Sequence, residues 1–418
     1  MIVKKFKRVF SLVLILAPLG CSFTPDVSGP TIVANDSWGN SASQAAPNSE
    51  TVPPSIDPWW ESFRSPRLTQ FITEALAKNA DIQASMQRVE AARAEAKIAG
   101  APLLPSITYS GDIRQNNSTG GSSSQGTVGD SIVGQVGLSY ELDLWGRIRS
   151  ARGGALALVD LNEFDYRALR LLVSTDTAQA FTSSELLNER IELTKELVNA
   201  LAEILEVVEV KHRLGALSGF EVAQQRVLVQ DATASLQVLE RQRRGAQHQL
   251  AALLGIPPQE LLLRSEQHPE PIDVSPPPLV LPSEVIQSRP DILREEARIQ
   301  AANFDVGVVR AAYFPRFTVG VSGSLTNSGL AGPWSRSTTF SEGLLGPIFQ
   351  GGAIEGAVER AEAFQREALE RYRQTVLTAL REVEDNIVAV DKGRARWLTL
   401  QEAETSAKVA YEDRKSVV

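Results

Sequence analysis

Two passages of this chain, 210 residues apart, change from helical to strand patterning at a proline. The first is "LPSITYSGDI", which begins at Leu104, and the second is "FPRFTVGVSG", which begins at Phe314. The same offset, without a gap, lays Asp81-Ile82 over Asp291-Ile292, Arg88 over Arg298, Ala91-Ala92 over Ala301-Ala302, Ala101 over Ala311, Pro105 over Pro315 and Thr108 over Thr318. Proline, helix length and strand onset agree together, which is the mark of an internal repeat. Any fold for this chain must therefore build one helix-to-strand unit twice.

In the first unit, Ile72, Ala75, Ile82, Met86, Val89 and Ala96 recur with 3,4 spacing. This predicts one amphipathic helix over about 66–100, with Asn79 and Arg93 as exceptions on its stripe. Pro102 and Pro105 end it. The following strand sets Ile107, Tyr109, Gly111 and Ile113 against Ser106, Thr108, Ser110 and Asp112. A polar turn, "NNSTGGSSSQG", leads to a second strand from about Asp130. Ile132, Gly134, Val136, Leu138, Tyr140, Leu142 and Leu144 face one way; Ser131, Gln135, Ser139, Glu141 and Asp143 face the other, joined by Val133 and Gly137.

A helical pattern then runs over 147–214, about 100 Å at 1.5 Å per residue. A globular core cannot use that length, whereas a tube or coiled coil can. Its second half has a heptad seam of Leu187, Ile191, Thr194, Val198, Leu201, Leu205, Val208 and His212. Gly215 to Gly219 form a tight turn. A returning helix to about Leu254 carries Val229, Ala232, Leu236, Leu239, Ala246, Leu250 and Leu253, with Arg243 the misfit. The expected result is an antiparallel helical hairpin, with His212 in a structural role at its tip.

The second unit gives a strand with Phe317, Val319, Val321 and Leu325 on one face, then a weaker strand near 338–345 whose alternation is poor. "GPIFQGG" stands where "LDLWGR" stood, and a last long helix starts near Ala353. The repeat anticipates a return helix after it, which this sequence does not supply, so a truncated duct is one expectation. The expected segments are 1–20 signal peptide, 21–66 tether, 67–254 first repeat, 255–283 Pro-rich connector and 284–418 second repeat.

The composition excludes several functions. The net charge of -8 offers no basic field for nucleic acid. A single cysteine permits no internal disulfide or thiolate cluster. His212, His248 and His268 share no ligand spacing, so no metal is expected. No phosphate loop, G-x-S-x-G or nucleophile beside a base is present. Glu295-Glu296 and Glu384-Asp385 read as solvated helix faces. No enzyme and no cofactor are expected.

Lys4, Lys5, Lys7 and Arg8 precede an apolar run, Val9 to Ala17, too short to span a bilayer. This is a secretory signal. The sole cysteine, Cys21, follows Leu19-Gly20 directly and resembles the acylated cysteine of a bacterial lipoprotein, although Pro18 stands where that pattern has an aliphatic residue. Cys21 is thus the expected lipid attachment site, and Ser22 after it favours the outer membrane.

Four strands are too few to close a bacterial barrel, which needs about eight. An open edge in lipid leaves backbone groups unpaired. Four membrane strands therefore imply that several chains share one barrel. A lipid-anchored structural coiled coil is the alternative; it explains the helices and Cys21 but not the strands.

The chain resembles the TolC-like outer-membrane efflux proteins, in their lipoprotein branch. The resemblance rests on "CSFTPDV", "WWESFRSPRLTQFITEALAKNADIQASMQRVEAARAE", "YELDLWGRIRSA", "HRLGALSGFEVAQQRV", "AALLGIP", "SRPDILREEARIQAANFDVGVVRAAYFPRFT" and "GPIFQGG". It implies a mainly α fold with transmembrane β-structure. Three protomers would share a twelve-stranded barrel, four strands from each, and a long α-helical barrel would cross the periplasm. It also implies a homotrimer in the outer membrane that works with a periplasmic adaptor and an inner-membrane pump, anchored by an acylated, palmitate-bearing Cys21.

Overall fold

The computed structural model describes residues 22–30, 58–118, 127–264, 282–328 and 332–416. Cys21 and the signal segment lie outside the described residues. The helices are α1 (Pro66–Lys78), α2 (Ala80–Gly100), α3 (Arg147–Arg213), α4 (Gly219–Leu253), α5 (Pro258–Arg264), α6 (Pro282–Ser288), α7 (Pro290–Arg310) and α8 (Ala353–Ser416). The strands are β1 (Ser106–Ser118), β2 (Thr127–Leu142), β3 (Arg316–Ser328) and β4 (Trp334–Leu345).

The repeat is exact in register. Helices α2 and α7, the 3-10 turns Ala101–Leu103 and Ala311–Tyr313, and strands β1 and β3 all begin and end at the one offset. So do the buried positions: Ile82, Val89 and Ala96 in α2, and Ile292, Ile299 and Val306 in α7. Spacing of seven places each trio on one helix stripe.

One expectation is corrected. The predicted helix over 66–100 is two helices, broken at Asn79. This residue, an exception on the apolar stripe, has non-helical φ -59 and ψ 127. Its Oδ1 accepts from the backbone N–H of Asp81 at 3.0 Å and of Ile82 at 3.2 Å, while its Nδ2 donates to the Leu253 carbonyl at 3.1 Å. A buried Asn that caps the second helix satisfies groups which an unbroken apolar stripe would have left to the helix itself. The weak strand also proves longer than its alternation suggested, beginning at Trp334. Within the predicted connector, Pro258–Arg264 is helical.

The described residues form two compact units. One comprises 22–30, 88–164 and 291–416; the other comprises 58–87 and the described parts of 165–290. The second unit has a core of Ala75, Ile82, Val173, Ala180, Leu250, Ala251, Leu254 and Leu261. Beside it Trp60, Leu68, Ile72 and Phe181 form a further cluster. The first unit holds the whole sheet, and Ala96, Ala155 and Val159 cluster within it.

Helices α3 and α4 pair as the hairpin their seams predicted. Leu187, Ile191, Thr194, Val198, Leu201, Leu205 and Val208 are all buried or half-buried between exposed neighbours. The misfit Arg243 is accommodated by donating from Nη1 to Asn188 Oδ1 at 2.5 Å. At the tip, Ser218 and Glu221 form a capping box and His212 Nδ1 lies 2.8 Å from the Leu217 carbonyl oxygen. His212 itself is exposed, so it ties the turn rather than continuing the packed seam. Glu221 is held below the ordinary carboxylate pKa, first by its hydrogen bond with Ser218.

Candidate functional site

The four strands form one antiparallel sheet in chain order, β1-β2-β3-β4. Among the described residues, β1 pairs only with β2 and β4 only with β3, so each outer strand keeps one unpaired edge. The register assigns every side chain to a face, because strand side chains alternate. Ile107 lies beside Leu138, Val321 and Phe340, and Tyr109 beside Val136, Gly323 and Thr338. This face is greasy and uncovered: Ile107 is 72% exposed, Tyr109 89%, Ile113 81% and Leu344 68%. Ser110, Gln135, Ser324 and Ser337 make a polar row on the opposite face. On that face Ser324 Oγ and Ser337 Oγ are 2.8 Å apart.

The difficulty with β4 is resolved by this register. Its greasy face is interrupted by Arg336, Thr338 and Glu342, while its other face reads Ser335, Ser337, Thr339 and Ser341. The hydroxyl alternation, rather than the apolar one, was the signal for the strand.

A second surface was not anticipated. On α3 Leu186, Leu193, Leu197, Ile204 and Val207 also follow heptad spacing, yet they are 49 to 65% exposed. They lie off the seam that packs on α4. A helix with two apolar seams suits a closed ring of helices, in which each member has neighbours on both sides.

The family description "outer membrane efflux protein" matches residues 71–256 and 281–415. The chain belongs to this family. Among its relatives, the pyoverdine export outer membrane protein OpmQ of Pseudomonas putida is 34% identical over 96% of this chain and 86% of the relative. Outer membrane protein OprJ of Pseudomonas aeruginosa is 32% identical, again over 96% and 86%. Among solved structures, the Campylobacter jejuni CmeC outer membrane channel superposes with a TM-score of 0.82 at 25% identity, covering 95% of this chain and 85% of that one. A membrane protein from Pseudomonas aeruginosa gives 0.80 at 29% identity, over 94% and 90%. The chain is thus an outer membrane efflux protein with a TolC-like channel fold.

In this efflux protein the strand-to-helix junctions hold the sheet to its helices. Asp143 accepts from the backbone N–H groups of Ile148 at 3.1 Å and Arg149 at 2.9 Å. It thereby satisfies the free donors at the start of α3, where negative charge is favoured. Arg147 Nη2 grips both oxygens of Glu141 at 2.9 and 3.0 Å. Gly146 makes the turn with φ 71. Trp145 Nε1 donates to the Pro315 carbonyl at 2.8 Å. These contacts account for Glu141, Asp143, Trp145, Gly146 and Arg147 of "YELDLWGR".

Residues 22–30 are seated against the same region. Phe23 stacks on Phe314 at 4.8 Å, and Phe314 on Trp145 at 4.7 Å. Thr24 Oγ1 meets Ser150 Oγ at 3.0 Å, and Asn303 Nδ2 donates to the Val27 carbonyl at 2.7 Å. Of the stretch expected to be a flexible tether or an irregular wrap, residues 22–30 run as a strap against these side chains.

No group of His, Cys, Asp and Glu among the described residues could hold a metal ion. No described helix is long and apolar enough to cross a membrane. Glu295, expected on a solvated face, is instead buried at 3% exposure and paired with Arg294 and Arg298. Buried pairing of this kind is a packing feature.

Proposed function

We propose that three copies of this chain form one duct of a tripartite export system. The duct takes substrate from an inner-membrane pump through a periplasmic adaptor and releases it outside. It binds no cofactor and performs no chemistry. The observation that carries this reading is the open sheet: one face greasy, the other hydroxyl-lined, and both outer strands unpaired along one edge. In lipid each unpaired backbone group costs several kcal/mol, and joining β4 of one copy to β1 of the next removes the cost. Three copies give twelve strands, with the hydroxyl face lining a wet lumen. The second seam on α3 offers the corresponding contact between helices of neighbouring copies.

In this reading 67–254 and 284–418 are the two repeats, joined by the connector 255–283. Residues 1–20 are removed, and Cys21 is acylated and becomes the N-terminus. The seated strap supports that assignment, since it starts beside the stack of Phe23 on Phe314 at the foot of β3. The N-terminal peptide of the mature protein should therefore carry acyl mass on Cys21, and Cys21→Ser should lack it.

The duct is tested by unheated gel electrophoresis together with planar-bilayer recording. A trimer with stepwise conductance is expected. A water-soluble monomer that conducts nothing would refute the duct and favour a structural rod.

A further inference from the structure

We propose that the greasy face of the sheet holds a binding site for a phosphorylated, many-chained glycolipid of the outer leaflet. One acyl chain lies in a notch floored by glycine, and a phosphate sits on Arg336. The inference rests on the membrane-duct reading.

The notch is an open groove of about 510 Å³, lined by Tyr109, Gly134, Val136, Gly323, Leu325 and Arg336 of the greasy face together with three residues of the polar row between them. Gly111 and Gly134 are direct cross-strand partners, and Gly323 pairs with Val136 in the adjoining row. The rows on either side are large: Ile113 with Ile132, and Ile107 with Leu138, Val321 and Phe340. The depression is therefore bounded along the strands.

Nothing among the described residues requires glycine there. None of the three has a positive φ. A Cβ added to Gly111, Gly134 or Gly323 would meet no atom within 4 Å. Glycine inside a strand often marks a close approach by something else.

Arg336 supplies the charge. It is exposed on an otherwise greasy row beside Leu325, with no hydrogen bond or ion pair among the described residues. The acid on the facing β1 row, Asp112, belongs to the polar face, opposite Val133. Glu342 shares the face and strand of Arg336 but stands six residues away, about 20 Å at strand rise. A guanidinium at the edge of hydrocarbon is best met by a phosphate, which it grips with two parallel N–H donors. Trp334, 60% exposed, lies two residues nearer the loops, as interfacial aromatics do. In the duct reading the helices are periplasmic, so this end of the sheet reaches the outer leaflet, where the lipid is a phosphoglycolipid.

The test uses the purified full chain, wild type, Arg336→Gln and Gly134→Leu, in detergent with lipid A or phosphatidylglycerol added. Lipid retained per trimer is read by native mass spectrometry, and each sample is also recorded in planar bilayers. Lipid A retention should fall about fivefold in Arg336→Gln, the scale of one cationic contact at an anionic surface. It should fall in Gly134→Leu as well, with wild-type conductance in both. Wild-type lipid A retention in Arg336→Gln overturns the site, as does equal retention of phosphatidylglycerol. If Gly134→Leu does not assemble, Arg336→Gln decides alone. A wild-type sample that neither trimerises nor conducts defeats the duct reading instead.

Discussion

Helices α2 and α7 are the same element written twice, and two of their differences fall where only one of them has a guest. At the offset of the repeat, Asn303 stands over Arg93 and Gly307 over Lys97. Asn303 is buried, donates to Val27 in the strap, and accepts from Gln365 Nε2 at 2.7 Å. Gly307 lies so close beneath Thr24 that an added Cβ would stand 2.5 Å from its hydroxyl. Arg93 and Lys97 are exposed instead, and Arg93 pairs with Glu90 and Glu163. A repeat thus conserves the geometry that makes the fold, while its departures record which copy receives an extra segment.

The two helices should contrast most at Gly307. Gly307→Val should unseat the strap and cost about 3 kcal/mol, the upper range for overpacking. Thermal unfolding in detergent and protease cleavage within residues 22–30 would show it. Lys97→Val, its counterpart, should leave both unchanged. If the two variants behave alike, the strap is not held by α7.

A smaller loss, about 2 kcal/mol, is expected for Asn303→Ala, which strands the Gln365 amide and the Val27 carbonyl without their partner. The same thermal scan applies. Arg93→Ala should leave the midpoint where it was, because exposed ion pairs contribute little.

The smallest effect concerns pH. Asp305 is exposed on α7, yet desolvation by the groups packed around it raises its pKa above the ordinary value of 3.8. A carboxylate with a raised folded-state pKa favours the folded form in its protonated state. Its contribution is therefore complete below pH 3.8 and is lost as the pH climbs through the raised value. Asp305→Asn should flatten that part of the stability profile and be slightly more stable than wild type at neutral pH. An unchanged slope between acid and neutral pH would show that the site is as wet as open helix surface.

Much of this architecture is legible without coordinates. The strand faces of β1, β2 and β3 follow from alternation, and the hairpin seam of α3 on α4 from heptads, since both are local periodicities. The break at Asn79 was visible only as a polar intruder on the stripe. Its cap on α2 is local, through the N–H groups of Asp81 and Ile82, but the carbonyl that takes its amide N–H lies on α4, 174 residues away. The faces of β4 were obscured by Arg336 and Glu342, and became assignable through pairing with β3. The second seam of α3 was hidden because leucines on the outside of a helical hairpin look like tolerated surface until the packing of the first seam on α4 leaves them in one exposed line.

The sequence alone determined the repeat, by likeness at one offset, and also the points where helix gives way to strand, the hairpin and the two-faced sheet, because each of these depends on neighbours a few residues apart. Only the tertiary structure decided which copy of the helix seats the strap, which face each β4 residue takes, and that Gly134 of β2 and Gly323 of β3 fall together into one notch. Those facts depend on contacts between residues far apart in the chain, and no local period encodes them.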